Sequence, residues 1–494
     1  MNLLIFILLP TLTAIGILLI PGAKSAKRVA GAGAFVQFVL AFALLYQYQL
    51  ARAGGNRAQV LFEQQWTWFP AWNITCHIGV DGISVAMILL TTFIVLSGVL
   101  VSWNLQKMSR EFYLLLILLS LGAYGFFISL DLFILFFFLE IAVIPKYLLI
   151  GVWGSGRKEY SANKLALMLM TGSALVLIGL LAVYFNAGPS RSFDLLQLSM
   201  THIPLGLQKI FFPFLFIGFG FFAALFPLHT WVPDGHSSAP TAGSMFLAGI
   251  SMKLGGYGCL RVATWLMPEA AEEYSSIIVV LSCIAILYGA FATMMQKDLK
   301  YINAYSSVSH CGFVLLGIGM LTQTAATGAV MQMVSHGLMT ALFFAVIGMI
   351  YERSHTRMVS EMGGLMKSMP FICTSLFIAG LASLGLPGLS GFVAEVTVFM
   401  GSWENTNIFS RVATIVACLS IAVTAVYILR AIGQTAMGPL KKEAYTQVRD
   451  ATWNEKLAAI ILIGGIVMIG VAPFWLNHLI RSGAGPMIQR IAGK

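Results

Sequence analysis

Long apolar runs fill most of the chain, and polar residues fall almost entirely between them. A spanning helix needs about 20 mostly apolar residues. Runs of that kind lie near 1–21, 30–50, 82–103, 112–130, 132–151, 165–185, 210–231, 243–266, 275–296, 302–321, 325–350, 370–400, 409–433 and 457–479. They predict an all-α integral membrane protein with about fourteen transmembrane helices. Ser129, Leu130 and Asp131 alone part the fourth run from the fifth. The run at 370–400 is over-long and holds Gly385, Pro387, Gly388 and Gly391, which predicts a broken helix. Pro227 does the same to the seventh run. Breaks at membrane depth survive where protein or a water-filled cavity satisfies the freed backbone. The two breaks are five spans apart, and an odd number of spans reverses orientation. The pattern therefore predicts two inverted five-helix repeats, spans 4–8 and 9–13, with helices 7 and 12 broken. The expected divisions are 1–110 for the first three helices, 111–266 and 275–433 for the repeats, and 434–494 for a loop and the last helix.

Composition agrees with the pattern. Hydrophobic residues make up 59% of the 494, and charged residues 10%. A soluble domain carries about 25% charged residues, so soluble enzymes, nucleic-acid-binding domains and disordered tails are excluded. Continuous rather than alternating apolar runs argue against a β-barrel. Cys76, Cys259, Cys283, Cys311, Cys373 and Cys418 are scattered without a C-x-x-C pair, so no metal or iron–sulfur site is expected on this chain. Met1-Asn2-Leu3-Leu4 has no basic n-region, so the first run is expected to be a span rather than a cleaved leader. Gly151 to Gly156 is glycine-rich but follows no strand, which removes a dinucleotide reading.

The net charge of +10 first suggests an acidic partner. Sorting the 29 basic residues changes that. Arg52, Arg57, Arg191, Lys209, Arg411, Arg481, Arg490 and Lys494 fall on one side, and seventeen fall in the alternate loops, Lys300 among them. By the positive-inside rule the richer side is cytoplasmic and both termini are outside. Lys146, Lys253, Arg261 and Arg430 remain. Arg261 and Arg430 lie near span ends, where snorkelling to the interface is expected. Of the acidic residues, Glu140 and Glu395 fall well inside spans.

A charge at mid-bilayer costs roughly 2.5–3.5 kcal/mol even on lenient scales, and such residues mark ion or proton paths. Glu140 stands near the middle of the fifth span, and Lys253 midway along the eighth. Gly249 and Gly256 share the face of Lys253 and permit close helix approach. Glu395 follows the glycine–proline break. His310 and His336 lie in the tenth and eleventh spans beside serines able to hold water, which suits a proton relay. His229 adjoins the Pro227 break, where its ring would either join the relay or bond a freed carbonyl.

Two long motifs carry a resemblance. One runs Phe226-Pro227-Leu228-His229-Thr230-Trp231-Val232-Pro233-Asp234-Gly235-His236, then Ser237 to Gly243, Leu247-Ala248-Gly249 and Lys253 to Gly258. The other is Tyr305-Ser306-Ser307-Val308-Ser309-His310-Cys311-Gly312-Phe313. With these motifs the chain resembles the antiporter-like membrane subunits of respiratory complex I over nearly its whole length. The segment Tyr351 to Arg357 with Met362-Gly363-Gly364-Leu365 resembles their chain M (chain 4) type. The resemblance implies a proton-translocating subunit in the membrane arm of an NADH:quinone oxidoreductase. It implies a bacterial inner membrane and partners among the other arm subunits, including two neighbouring antiporter-like ones, with no nucleic acid. NADH, FMN, iron–sulfur clusters and quinone would sit on other subunits, with no cofactor on this chain. It assigns a paired carboxylate to Glu140, the central lysine to Lys253, the connecting histidine to His336 and the exit carboxylate to Glu395. A multi-chain cation/proton antiporter, a membrane-bound hydrogenase subunit and a non-pumping spacer are the alternatives.

One position departs from the family. The seventh-helix lysine that pairs with the fifth-helix glutamate falls at Phe222. Lys146, six residues after Glu140 and just past Pro145, stands where the family is usually apolar. Either the lysine has moved from helix seven to helix five, or Lys146 snorkels to the cytoplasmic surface.

Overall fold

The computed structural model describes residues 1–188 and 191–492. About 78% of the chain is helical. The helices are α1 (Ile5–Leu19), α2 (Ala23–Ala53), α3 (Gly82–Val101), α4 (Ser109–Ile128), α5 (Leu132–Ile141), α6 (Val143–Trp153) and α7 (Lys158–Phe185). Then come α8 (Leu195–Met200), α9 (Leu205–Phe222), α10 (Trp231–Ser238), α11 (Thr241–Phe246), α12 (Met252–Gly258) and α13 (Pro268–Met294). The rest are α14 (Leu299–Gly319), α15 (Gln323–Ser354), α16 (Pro370–Ser383), α17 (Ser390–Glu404), α18 (Ile408–Ala436), α19 (Trp453–Val471) and α20 (Phe474–Ala492). Among the described residues, ten helices are long and apolar enough to cross a membrane, counting α5 and α6 as one. The expected fourteen runs include segments that fail such a test because they are broken, short or polar. Ile5–Leu19 and Pro370–Ser383 are shorter apolar helices.

Apolar side chains such as Leu167, Ile415 and Ile460 stand exposed on the outer helices, a surface suited to lipid. The most hydrophobic 18-residue windows of α15 and α3 are 100% and 94% buried, so these helices run through the interior rather than along the lipid face.

Three expectations need correction. The chain is not wholly α: Leu61–Phe69 (β1) and Ile74–Val80 (β2) form an antiparallel hairpin between α2 and α3. Its Trp66, Thr67, Trp68 and Phe69 are β-formers, but the segment is too short and polar to register as a span. The last apolar run is two helices, because Pro473 ends the α19 hydrogen-bond ladder and α20 begins at Phe474. The eighth span is not a plain α-helix: π-turns at Leu247–Ser251 and Cys259–Thr264 flank α12.

Where a break was expected, one is found. The division between the fourth and fifth runs is made by Asp131, whose carboxylate accepts from Phe133 and Ile134 N–H as the α5 cap, and from Thr75 N–H of β2. After α9 the chain turns irregularly to Leu228–Thr230, and after α16 it passes Gly385 and Gly388 at φ +75 and +91 before α17. Left-handed φ favours glycine at both places.

The hairpin is clasped to the bundle outside the spans. His77 in β2 bonds Asp194 through Nδ1 and Glu63 through Nε2, the latter at 2.8 Å. Burial works against the charged His77 ring, but Asp194 and Glu63 outweigh it and hold the ring above its usual value. Burial likewise opposes ionised Asp194, but His77 and backbone N–H groups hold it below the carboxylate range. His77 therefore stabilises fully below its unfolded pKa, and that contribution fades as pH rises through the raised folded value. Asp194 stabilises above its unfolded pKa and loses its contribution as pH falls through the lowered folded value. Amide exchange protection over 61–80, corrected for intrinsic rates, is expected to fall as pH rises past the His77 titration. A His77→Asn variant should show no such step; a step that persists would assign it to another group.

Candidate functional site

The site is built on α12, α15, α14 and the break before α17. Gly249 and Gly337 hold their helices close, since a Cβ on Gly337 would stand 3.0 Å from the Gly249 carbonyl oxygen. The expected small face of the Lys253 helix is thus used for close approach. Around Lys253 the π-turn makes Met252 N–H donate to Leu247 O, five residues back. The Ala248 carbonyl accepts from Lys253 Nζ at 2.5 Å. The same Nζ lies 2.6 Å from His336 Nδ1. Single π-turns occur often at functional sites, and here one supplies the lysine with an oxygen partner.

From His336 the line continues sideways. The His336 and His310 rings stand 5.4 Å apart between centroids. His336 Nε2 is buried without a hydrogen-bond partner. His310 Nδ1 is 3.2 Å from Gln332 Nε2 and 3.5 Å from Glu395 Oε1, and its Nε2 is 3.0 Å from Ser383 Oγ. Ser383 closes α16 and Ser390 opens α17, so the break presents both its ends to the relay. Ser390 Oγ meets Ser335 Oγ at 2.8 Å. A side chain on Gly385 would strike the Glu395 carboxylate, with Oε2 only 2.6 Å from the Cβ position. Lys253, His336, His310 and Glu395 are each at most 5% exposed. Four sequence-selected residues are therefore brought into one buried line.

Glu140 and Lys146 form a second group. Lys146 does not snorkel: it is 1% exposed. The α5–α6 ladder is interrupted at Ala142, because Pro145 carries no N–H to continue it. Lys146 Nζ then lies 5.7 Å from the centroid of the Phe222 ring, a cation–π contact. Its ammonium has no hydrogen-bond partner, nor has Glu140 Oε1. Glu140 is the acid that acts on Lys146 through charge. Phe222 ends α9, and a Cβ on Gly255 of α12 would stand 2.7 Å from the Phe222 carbonyl carbon. Phe222 is thus wedged between Lys146 and the helix that carries Lys253.

His229 stands apart from this line. Its ring stacks on Phe226 at 5.4 Å and meets Tyr288 edge-on at 4.9 Å, and its Nδ1 is unpartnered. The freed carbonyl of Phe221 is taken by Trp231 Nε1 at 2.9 Å rather than by His229. His229 thus does not bond the freed Phe221 carbonyl.

The family profile described as NADH:quinone oxidoreductase/Mrp antiporter, TM, matches residues 129–420. NAD(P)H-quinone oxidoreductase chain 4 2 of Microcystis aeruginosa is 37% identical, over 91% of this chain and 82% of that one. NADH-quinone oxidoreductase subunit M of Rickettsia bellii is 35% identical, over 86% and 85%. The chain belongs to the NADH:quinone oxidoreductase/Mrp antiporter family. Respiratory complex I from Thermus thermophilus contains a chain of the same fold, with a TM-score of 0.89 at 25% identity over 99% of each chain. An Mrp complex from a Dietzia species shares the fold at 0.86, with 19% identity over 99% of this chain and 98% of that one.

Within this member of the NADH:quinone oxidoreductase/Mrp antiporter family, the sequence reading missed two interior groups. Lys300, which the loop count places on the cytoplasmic side, is 5% exposed, with Nζ bonded to Ala239 O at 2.6 Å. Its place two residues after the helix cap Asp298 disguises it as a surface residue. His236 is fully buried, stacked on Phe344 at 4.9 Å, with both ring nitrogens unpartnered. Charges of Lys300 and Lys253 both reach it. Its seven-residue spacing from His229 was the available signal. Arg261 was expected to snorkel and is instead buried against Asp81, whereas Arg430 is exposed as expected.

Proposed function

We propose that this chain moves protons within the membrane arm of an NADH:quinone oxidoreductase, through buried Lys, His and Glu side chains, coupled to quinone reduction elsewhere in the complex. The observation that carries the reading is the buried line Lys253–His336–His310–Glu395, whose neighbours are joined by a Lys253–His336 hydrogen bond, a His336–His310 ring contact and a His310–Glu395 approach of 3.5 Å. Each member can gain and lose a proton, and the serines at the α16–α17 break supply hydroxyls beside it. Protons enter from the side of Lys300 and His236 and reach Lys253. They pass through His336 and His310 and leave by Glu395. Glu140 and Lys146 bias Lys253 through charge. The chain is the subunit M (chain 4) type, lies in a bacterial inner membrane with both termini outside, and contacts other arm subunits. Two inverted repeats, 111–266 and 275–433, fit the positions of its two breaks. Redox groups belong to those other subunits. A Glu395→Gln variant, assembled and reconstituted, is expected to lose at least tenfold in proton movement per quinone reduced. Unchanged stoichiometry with sodium release in place of protons would favour the cation/proton antiporter reading. Unchanged proton stoichiometry would favour a spacer.

A further inference from the structure

One buried charge cluster takes no part in the line from Lys253 to Glu395. Asp81 caps α3, and Arg261 lies in the π-turn after α12. Their side chains are 0% and 1% exposed. Arg261 Nη1 donates to Asp81 Oδ2, and Ser84 N–H donates to Asp81 Oδ1 at 2.9 Å. The Ser84 and Tyr257 hydroxyls share a hydrogen bond of 3.0 Å. Arg261 Nε and Nη2 are buried with no acceptor. α20 closes the cluster from the hairpin end: a Cβ on Gly82 would overlap the Leu479 carbonyl oxygen, and a Cβ on Gly483 would lie 2.9 Å from Asp81 Oδ2.

Lys253, Tyr257 and Arg261 follow one another at four-residue spacing. About 12 Å of helix separates the first from the last. This row of polar side chains would offer a proton on Lys253 a second direction, straight along its own helix past Tyr257 to the hairpin end, beside the sideways line through the histidines.

We infer that the Asp81–Arg261 pair is a plug that closes this second way and forces protons through His336 and His310. The inference rests on the proposed function, since a plug matters only where Lys253 carries protons. A guanidinium stays protonated and offers donors only. Water held by Nε–H or Nη2–H must turn its oxygen toward the arginine, which stops proton transfer in that direction. Asp81 is engaged by Arg261 and by Ser84 N–H, so a proton reaching it would have to pass the positive guanidinium. The other groups facing the guanidinium are Tyr257 on its own helix, Trp265 at 4.8 Å, and Tyr48 of α2. Tyr48 is held by Arg52 and Ser482. A purely structural pair would gain by saturating both remaining donors. Buried donors left open suit a barrier instead.

The test is passive proton leak through the intact complex in liposomes, under an imposed pH gradient without quinone reduction. The double variant Asp81→Asn/Arg261→Met leaves neither charge buried alone, and is expected to leak at least tenfold faster. Adding Lys253→Met should return the leak to the wild-type level. An assembled double variant that stays tight overturns the plug, as does a leak that Lys253→Met does not reduce. Should the double variant not assemble, Arg261→Lys keeps a charge that can titrate when buried. Its leak is expected to rise with pH, and tightness at every pH overturns the plug. Coupled proton movement is measured separately. Its survival in the Lys253→Met single variant would overturn the proposed function, whatever the leak assay shows.

Discussion

Replacing Lys253 with methionine is expected to abolish coupled proton movement while the complex still assembles. The lysine is the junction of the site, bonded to Ala248 O on its own helix and to His336 Nδ1 on α15. Methionine fills a similar volume but carries no proton, so the line loses the member through which protons enter it. The two abandoned partners cost about 1–3 kcal/mol each if no water replaces the ammonium. That is tolerable in so large a bundle, and native electrophoresis would verify assembly. The decisive measurement is proton uptake per quinone reduced in liposomes. A loss of at least tenfold is expected, with unaltered stoichiometry counting against the entire scheme.

The second large effect is expected at Lys146. Two unit charges ~10 Å apart at an effective dielectric near 20 interact by about 1.7 kcal/mol, a factor above ten in proton affinity. Lys146→Met removes that influence without breaking any hydrogen bond, because Nζ makes none. Stability should therefore hold or rise, since an unpaired buried cation is itself costly. Coupled activity should fall about tenfold, in step with Glu140→Gln. The contact with Phe222 gives a sharper version. If the ammonium serves where a seventh-helix lysine would stand, Phe222→Lys should restore activity to Lys146→Met. Normal pumping by Lys146→Met beside an inactive Glu140→Gln would end the idea that the lysine changed helices.

Much of the site was legible before folding because the bilayer makes charge expensive. Glu140, Lys253 and Glu395 stood out against apolar neighbours, and His310 and His336 stood beside serines. The same reasoning misjudged residues near span ends. Arg261 and Lys300 were read as interfacial, but α3 and the Ala239 carbonyl draw them inward. Proximity to a span end measures distance along one helix only. Burial is decided by which other helices cover that end, and here α20, invisible as a separate helix, covers the Asp81–Arg261 pair.

Apolar length and the placement of Gly and Pro determined the membrane class, the two breaks and the set of interior titratable groups, since these follow from local backbone chemistry and the cost of charge in lipid. Tertiary structure alone decided which groups meet. The close approach of Gly249 and Gly337, the meeting of Lys253 with His336, and the break that sets Ser383 against His310 are contacts between segments far apart in sequence. They depend on how the helices pack and rotate against one another, which periodicity along a single helix does not encode.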